Sequence, residues 1–562
     1  MRAVLCALNS KYIHSALAPW YLAAAVKAYA GDAVTVSVVE GTINQSDDAV
    51  LERLLAQPAD VIGFCCYIWN IAMVRRLLPR VRQAVPEAVL VLGGPEVSFC
   101  AQQVMTQLPE VDYVQAGEGE RPFAQLLMCL AAGEDIGDVP GLCRRTAQGI
   151  VCAPPYSTAE EPPSPYTPAY FEALQGRIAY LETSRGCPFS CAFCLSGRQD
   201  KVRFFDLERA KADMVRLANS GTQTVKLVDR TFNCNAERAY ALWEFLIAQA
   251  GKTIPAGVCF HFEIAADLLD ERTLALLATA PAGLIQLEAG LQSFHEPTLA
   301  AVNRKTNLDR LCANLRALLK AGNIHVHIDL IAGLPEEDLA CFGRSFDRAY
   351  ALQPHMLQLG FLKLLHGSRL RQDADAYGYV FSQEPPYAFI RGNWMNEREA
   401  ATLHEAEDAL ERLYNSGRFR DTLAYVLAAT GLRPFELFCT VGAFMAQRGV
   451  ERISLEDYTA LVQTCLQSLP GVDAAVLRDV MVCDSLSSHS NGRLPACLYR
   501  EDARLKRLAR QVKANSAYPR KGVKRGVAIL YAGGERAVAA EYVSPDPVTG
   551  RYALKECSLD GL

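Results

Sequence analysis

Two successive series of alternating strand and helix patterns constrain the fold of this 562-residue chain more than any other feature. In the first series, residues 1–137, short apolar runs alternate with amphipathic stretches such as residues 12–30 and 71–85. Strands that alternate with helices form a parallel sheet covered on both faces. We therefore expect a five-stranded, doubly wound, Rossmann-like α/β domain whose ligand lies at the carboxyl ends of its strands.

The second series occupies residues 171–385 and predicts a partial or complete (β/α)6 barrel. Its six strand patterns are at residues 178–184, 224–229, 258–263, 284–290, 324–331 and 356–362. Sites in such barrels form on the loops at the carboxyl ends of the strands. Between the two series, residues 138–170 predict a hairpin that turns at Gln148 and Gly149, followed by a proline-rich linker.

Residues 386–562 predict a mainly helical domain with a small β element. A helical pattern covers residues 398–416, and two closing apolar runs, RGVAILYAGG and RAVAAEYV, predict a hairpin. Residues 500–525 hold ten lysines and arginines against Glu501 and Asp502. A basic stretch with few aromatic residues is typical of a solvated helix face, and an RNA-binding role is the alternative.

The overall charge and hydropathy exclude several classes of protein. Lysine and arginine number 57 and aspartate and glutamate 62, so the net charge is −5, which argues against a general polyanion binder. The sequence contains no apolar stretch of about 20 residues and no secretory leader pattern at residue 1. We expect a soluble, cytoplasmic protein without membrane contacts.

Most of the 19 cysteines lie in apolar runs and are expected to be reduced and buried, but one cluster differs. Cys187, Cys191 and Cys194 form a C-x3-C-x2-C pattern directly after a predicted strand. Structural zinc takes four ligands, and the next cysteine, Cys234, lies on a different loop. Three thiolates with one open position suit a [4Fe–4S] cluster, and zinc is the alternative.

The cysteine pattern, with Phe193 before its last member and a strand before its first, resembles that of the radical S-adenosylmethionine (SAM) superfamily. The segments that follow the later strands support the resemblance. They are LVDRTF, FEIAAD, LEAGLQS, DLIAGLP and FLKLLHGSRL. Taken in this order, these segments are similar to those of the subgroup whose barrel follows an N-terminal cobalamin-binding domain. The region after residue 385 resembles an uncharacterised C-terminal domain of some members.

The resemblance implies that Cys187, Cys191 and Cys194 bind the cluster and that its open iron chelates S-adenosylmethionine. One electron, from a donor such as flavodoxin or ferredoxin, then cleaves the cofactor to a 5′-deoxyadenosyl radical. The implied SAM contacts, with Phe193 in the cluster motif, are Glu288, Arg304, Gly333, Leu334, Pro335, Asp229 and Glu263. The structural alternatives are a barrel salt bridge for Glu288, a surface position for Arg304 and an ordinary turn for Gly333.

The resemblance also implies a cobalamin site in the first domain, although the chain lacks the D-x-H-x-x-G motif that marks a lower axial histidine. His14 is the candidate ligand, and a structural helix histidine is the alternative. The remaining candidates adjoin the ends of the third, fourth and fifth strands. They are Trp69, Asn70, Gly93, Gly94, Glu118 and Gly119. The glycines alternatively serve only to close tight turns.

The common outcome in the resembled family is methylation of an unactivated carbon or phosphorus centre, which consumes two SAM molecules. The alternatives are a radical rearrangement, ring formation or oxidation without methyl transfer, an iron–sulfur or corrinoid redox sensor, and an RNA-binding protein. A small-molecule substrate is expected, and the sequence does not identify it.

Overall fold

The computed structural model describes residues 1–198, 201–450, 453–515 and 522–559. The chain divides into two compact units, Met1–Glu263 with Lys363–Phe389, and Ile264–Leu362 with Ile390–Leu562. Among the described residues, no helix combines the length and the apolarity required to cross a bilayer.

The first domain is an α/β sandwich around a seven-stranded sheet. Its strand order is β2-β1-β3-β4-β5-β6-β7, with β1–β5 parallel and the last two antiparallel. The strands are β1 Arg2–Asn9, β2 Thr35–Thr42, β3 Val61–Cys65, β4 Val89–Gly93, β5 Tyr113–Gln115, β6 Leu142–Thr146 and β7 Gly149–Cys152. The expected five strands are therefore present, but the hairpin assigned to the linker extends their sheet.

Alternating side chains of the first strand enter two separate apolar cores. Val4, Cys6 and Leu8 pack on one face of the sheet, and Ala3 and Leu5 pack on the other. Both faces are covered by helices, as a doubly wound sheet requires. The helices are α1 Ala18–Ala30, α2 Asp47–Leu55, α3 Ile71–Ala84, α4 Pro95–Ser98, α5 Ala101–Gln107 and α6 Glu120–Ala132.

The first helix is shorter than its sequence pattern predicts. It begins at Ala18 rather than at residue 12, and Pro19 occupies its first turn, where a missing N–H is tolerated. Residues 12–17 form a loop whose His14 makes an isolated bridge to Ile178. The helical pattern predicted from residue 12 is therefore too long at its start, and His14 lies in the loop between β1 and α1, where it was predicted.

The second strand and helix series begins in the same unit. Strands β8, β11 and β12 are parallel neighbours, and β9 pairs with β10 in antiparallel fashion. The elements are α7 Pro168–Leu174, β8 Ala179–Leu181, β9 Ser184–Arg185, β10 Arg203–Phe204, α8 Leu207–Ala218, β11 Thr224–Leu227, α9 Ala236–Gln249 and β12 Cys259–Ile264. Residues 363–389, with α14 Arg369–Gln372, β16 Val380–Phe381 and the start of β17 Phe389–Arg391, also belong to this unit.

The second unit contains three further parallel strands, each of which follows a helix. Strand β14 pairs with both β13 and β15. The elements are α10 Glu271–Leu277, β13 Ile285–Gln292, α11 Glu296–Ala301, α12 Leu308–Ala321, β14 His325–Ala332, α13 Leu339–Tyr350 and β15 Met356–Phe361. The six strands expected for the barrel are thus all present, three in each unit.

The C-terminal region is helical with a small sheet, as expected. Its helices are α15 Glu397–Leu410, α16 Arg420–Thr430, α17 Pro434–Ala446, α18 Leu455–Gln467, α19 Ala474–Ser488 and α20 Leu505–Ala514. The predicted hairpin is strands β18 Arg525–Leu530 and β19 Arg536–Glu541, and β20 Leu554–Cys557 adds a third antiparallel strand. Part of the basic stretch, residues 516–521, lies outside the described residues.

One pair of cysteines departs from the expectation of reduced thiols. Cys143 and Cys152 face each other across the β6–β7 hairpin and form a disulfide. The free cysteines among the described residues are buried or half-buried, as their apolar sequence context predicts.

Candidate active site

The three predicted iron ligands lie on the loop that leaves β9. Cys187, Cys191 and Cys194 fall within eight residues, and a turn in which the Cys194 amide donates to the Cys191 carbonyl (3.0 Å) joins the last two. The Ser196 amide donates to Cys194 Sγ at 3.3 Å, and Cys187 Sγ lies 3.3 Å from Thr231 Oγ1. The fold thus presents three soft ligands on one short segment.

The sequence left two kinds of metal site open for these thiols. A tetrahedral zinc site, with Zn–S distances of about 2.3 Å, requires its sulfurs to converge on one ion. The three cysteines are not among the groups of described residues whose donor atoms all lie within 4.8 Å of one another. A [4Fe–4S] cluster binds each thiolate through a different iron, and three cysteines on one short loop supply three of its four ligands.

Cys234 lies close enough to Cys187 for the two thiols to interact electrostatically. Burial, together with the Cys187 charge, raises the pKa of Cys234 to about 11. Cys234 follows β11, so it lies on a different loop from the three predicted ligands. Phe193, between the last two predicted ligands, lies half-buried in their turn.

Asp229, predicted to face the cavity, is instead fully buried beneath the cysteine loop. Its carboxylate accepts hydrogen bonds from Thr183 N (2.7 Å), Thr183 Oγ1 (2.6 Å) and Ser184 Oγ (2.7 Å). Burial raises the pKa of Asp229, and these hydrogen bonds oppose that rise. Asp229 therefore joins the end of β11 to the segment from which the cysteine loop departs.

Arg185, two residues before Cys187, sits in a half-buried cluster of carboxylates. Its guanidinium contacts Glu182 (2.9 Å), Glu118 (2.9 Å) and Glu120 (2.5 Å), and Arg203 also pairs with Glu118 (2.8 Å). Burial alone would raise the pKa of Glu120, but the Arg185 charge lowers it overall. Glu118, predicted to contact cobalamin, thus ties the fifth-strand loop of the first domain to the cysteine loop.

The carboxyl ends of β3 and β4 form the predicted ligand edge of the first domain. Gly94 has φ +114°, and a Cβ there would lie 2.4 Å from the Cys66 carbonyl oxygen. Trp69 is 43% exposed and stacks on Tyr67 with ring centroids 4.4 Å apart. Asn70 is fully buried and bonds to backbone atoms of Leu8, Cys65 and Tyr67, so its described role is structural.

His14 and Gly119 also line this region of the first unit. His14 Nδ1 lies 2.7 Å from the Tyr180 hydroxyl, and burial lowers the pKa of His14. This contact occupies one of the two ring nitrogens of His14. Gly119 caps α6, and a Cβ there would approach the Leu22 side chain to 3.1 Å.

The second unit presents polar side chains from one face of its parallel strands. Along β13 and β14, Leu287, Ala289, Val326 and Ile328 are fully buried, whereas the intervening positions carry polar groups. Glu288, His327 and Asp329 bring their donor atoms within 4.8 Å of one another. His327 Nε2 lies 2.9 Å from Asp329 Oδ1, and its Nδ1 lies 3.9 Å from Glu288 Oε2. His327 and Asp329 were missed, although the alternation in IHVHIDLI predicts a polar face.

Arg304, the predicted carboxylate partner, lies at an irregular end of β13. Its guanidinium donates to the Gly290 carbonyl, where the β13–β14 register shifts between Gly290 and Gln292. Gln292 is buried at φ +72°, a strained conformation for a residue with a side chain. Sequence reasoning missed Gln292, because a bulge leaves no signal in the residue pattern.

The remaining predicted SAM contacts lie at strand ends in their respective units. In the second unit, Gly333 has φ +88° and starts the turn after β14, in which Leu334 and Pro335 are buried. In the first unit, Glu263 of β12 lies 3.7 Å from Lys226 of β11. These residues lie at or near the ends of strands, where the sequence placed them. Their contacts to SAM stay predictions.

Family models match three consecutive parts of the chain. Residues 4–127 match the B12 binding domain, residues 181–349 the Radical SAM superfamily and residues 375–546 a protein family of unknown function, DUF4080. The chain thus combines a B12-binding domain with a radical SAM domain. The resemblance inferred from the cysteine and strand-end motifs is confirmed.

Curated relatives of this chain include methyltransferases and a cyclase. The cobalamin-dependent radical SAM methyltransferase TokK of Streptomyces tokunonensis is 29% identical over 50% of this chain and 44% of its own length. The chain therefore spans less than half of that relative. The anaerobic magnesium-protoporphyrin IX monomethyl ester cyclase of Rubrivivax gelatinosus is 26% identical over 67% of this chain and 71% of its own length.

Two solved structures share the fold. The radical SAM methyltransferase TsrM from Kitasatospora setae, with cobalamin and a [4Fe–4S] cluster bound, has a TM-score of 0.57 at 18% identity, over 69% of this chain and 78% of its own. The cobalamin-dependent radical enzyme OxsB has a TM-score of 0.58 at 14% identity, over 91% of this chain and 80% of its own. The predicted α/β fold class is therefore confirmed.

Proposed function

We propose that this chain is a radical SAM enzyme that uses a [4Fe–4S] cluster and cobalamin to methylate an unactivated centre of a small molecule. The observation that carries the proposal is a set of ion pairs between the two candidate cofactor regions of the first unit. Glu118, after the fifth strand of the B12-binding domain, pairs with Arg185, two residues before the first cluster cysteine. One network of ion pairs therefore fixes the candidate cobalamin edge against the candidate cluster loop.

In this proposal, Cys187, Cys191 and Cys194 bind the cluster. The exposed Trp69 ring and the close backbone at Gly94 are proposed to lie against the corrin and its nucleotide tail. When bound, cobalamin supplies a carrier for the methyl group, and the cluster supplies the electron that opens SAM.

The polar strand face of the second unit is proposed to hold SAM. Glu288 is suited to the SAM amino group and ribose hydroxyls, since a carboxylate accepts from both. Arg304 is suited to the methionyl carboxylate through its guanidinium, and Gly333 allows the adenine to approach the backbone. The electron donor is proposed to be a flavodoxin or ferredoxin.

Product analysis tests this function. The chain is reconstituted anaerobically with iron, sulfide and hydroxocobalamin, then supplied with SAM, a reductant and candidate small molecules. Methyl transfer predicts S-adenosylhomocysteine and 5′-deoxyadenosine in roughly equal amounts, together with a product 14 mass units heavier, since a CH₂ is added. Formation of 5′-deoxyadenosine without S-adenosylhomocysteine would overturn methyl transfer but not radical chemistry.

A second candidate function is oxidation or ring formation without methyl transfer. The observation that favours it is the cyclase relative, which this chain covers over 71% of its length, against 44% for TokK. The same assay separates the two functions, because a cyclising or oxidising enzyme leaves no S-adenosylhomocysteine.

A further inference from the structure

The C-terminal region contains a cavity of about 300 Å³ that neither proposed cofactor occupies. It lies among helix α19, the loop of residues 492–500, the start of α20 and strand β18. Its lining residues are Arg478, Gly492, Arg493, Leu494, Tyr499, Arg500, Leu505, Val527, Ala528 and Ile529. The set includes three arginines and no carboxylate, and Asp479 behind the wall compensates only Arg478, so the lining carries a net positive charge.

Arg478 is held rigidly at the wall of this cavity. Its Nε donates to the Leu498 carbonyl (2.9 Å), and its Nη1 donates to the Ile529 carbonyl (2.9 Å) and to Asp479 (2.7 Å). Asp479 in turn accepts from the amide of Tyr531 at 2.6 Å. The guanidinium is therefore fixed before any ligand arrives, which lowers the entropic cost of binding.

Arg500 is oriented by an aromatic ring. Its guanidinium carbon lies 4.0 Å from the Tyr531 ring centroid, and that of Arg478 lies 5.4 Å from the same centroid. Arg493 and Arg500 are exposed, and neither has a carboxylate within 4.0 Å in the part of the chain that the structure describes. Two guanidiniums are thus available to an anion.

The floor of the cavity is apolar. Leu505, Val527 and Ile529 belong to the small core between α20 and the C-terminal sheet. Gly492 allows the loop to pass against β18, because a Cβ there would lie 2.3 Å from the Arg525 carbonyl oxygen. A ligand that fills the site therefore needs a compact apolar portion as well as an anionic group.

We propose that this cavity, the arginine pocket, binds a small molecule that carries a phosphate or carboxylate on a compact apolar or aromatic group. A guanidinium fork matches both anions, and the exposed ring of Tyr499 offers a stacking surface beside them. The inference does not depend on the proposed radical chemistry.

An extended polyanion is the competing occupant, because the adjacent helix α20 carries Lys506, Arg507, Arg510 and Lys513. Three of the pocket features favour the small molecule. They are the concave shape, the apolar floor and the fixed Arg478. A helix face that binds a polyanion through its charges requires none of these features.

Direct binding to the full chain tests the arginine pocket. Phenyl phosphate and benzoate are titrated separately by calorimetry at low salt into the wild type, R493A/R500A and the control K506A/R510A. We expect saturable one-site binding of at least one probe, weakened at least tenfold in R493A/R500A and by less than twofold in the control. The stronger probe identifies the anionic group.

Two results would overturn the proposal. One is the absence of saturable binding of both probes, and the other is an equal loss in the control, which indicates a diffuse polyanion surface on α20. R493E, a single change at an exposed side chain, provides a second variant if R493A/R500A does not fold, and the same tenfold loss is expected.

Discussion

Glu337 is a buried carboxyl of the second unit whose protonation state affects the stability of the fold. It is 1% exposed, and its Oε1 accepts from Ser293 Oγ (2.6 Å) and Ser345 Oγ (3.0 Å). Its Oε2 has no hydrogen-bond partner among the described residues. Burial, opposed by the two serines, raises the pKa of Glu337 from 4.5 to about 7.

The raised pKa predicts a pH dependence of stability. Between about pH 4.5 and 7 the folded chain binds more protons at this site than the unfolded chain. The free energy of unfolding therefore falls as the pH rises through that window, by about 3 kcal/mol from this group. E337Q keeps an acceptor for both serines and should remove the contribution of this group to the pH dependence of the free energy of unfolding. Denaturant titrations at about pH 5 and 7.5 measure that dependence.

E336Q is the matched control, because Glu336 is the adjacent residue and its side chain is exposed. Its unfolding should keep the wild-type dependence on pH. An E337Q variant that also kept that full dependence would contradict the assignment of the slope to Glu337.

Sequence predicted residue types well and residue partners poorly. The three cysteines were identifiable because their spacing is local and specific. Asp229, Glu118 and Asn70 were identifiable as polar residues at strand ends, but their buried partners come from distant segments. Partners set by tertiary packing leave no pattern along the chain, so the ion pairs and hydrogen bonds of these residues were not predicted.

At the scale of elements, the turn between β4 and α4 contains two glycines, and the backbone requires only one of them. A Cβ at Gly94 would meet the Cys66 carbonyl oxygen at 2.4 Å, whereas one at Gly93 meets nothing closer than 3.8 Å. Gly94 also has φ +114°, whereas no such backbone constraint applies at Gly93. The fold therefore requires glycine at position 94 and tolerates alanine at position 93.

The two glycines predict different outcomes. G94A should lower the free energy of unfolding by about 1–3 kcal/mol through the clash and the strained φ. G93A should leave stability within about 0.5 kcal/mol of the wild type. If the nucleotide tail of cobalamin passes this backbone, G93A should weaken hydroxocobalamin binding at least tenfold in absorbance titrations. Wild-type affinity in G93A would remove Gly93 from the site.

Strands and helices were predictable where the apolar pattern is long. Their first and last residues were harder to predict. The strands of both series follow the residue pattern within a few positions. The start of α1 and the irregular end of β13 depend on a proline and a bulge. The antiparallel strands β6 and β7 were recognised as a hairpin, but the sheet edge that accepts them is set by tertiary packing.

At the scale of the molecule, Arg185 connects the first domain to the cysteine loop. It pairs simultaneously with Glu118, Glu120 and Glu182, and its planar guanidinium makes this possible. A lysine presents one ammonium and does not satisfy three carboxylates in the same geometry. Their side chains are only 10–14% exposed, so the loss of one pair leaves a charge that water compensates only in part.

R185K should therefore lower the free energy of unfolding by about 2–4 kcal/mol and reduce the iron bound after reconstitution. R121K is the control, because Arg121 pairs with Glu160 at the exposed surface, where an ion pair contributes about 0–1 kcal/mol. Denaturant unfolding and iron analysis on both variants provide the comparison. Equal behaviour of the two variants would show that the Arg185 cluster does not couple the domains.

The central claim is that three thiols, without a fourth, hold a cluster that opens SAM. Electron paramagnetic resonance of the reduced, reconstituted chain, followed by quantification of 5′-deoxyadenosine, tests it most directly in C191A and C234A. The account predicts that C191A loses both the cluster signal and 5′-deoxyadenosine, whereas C234A keeps both. A cluster that persists in C191A, or one that disappears in C234A, would contradict it.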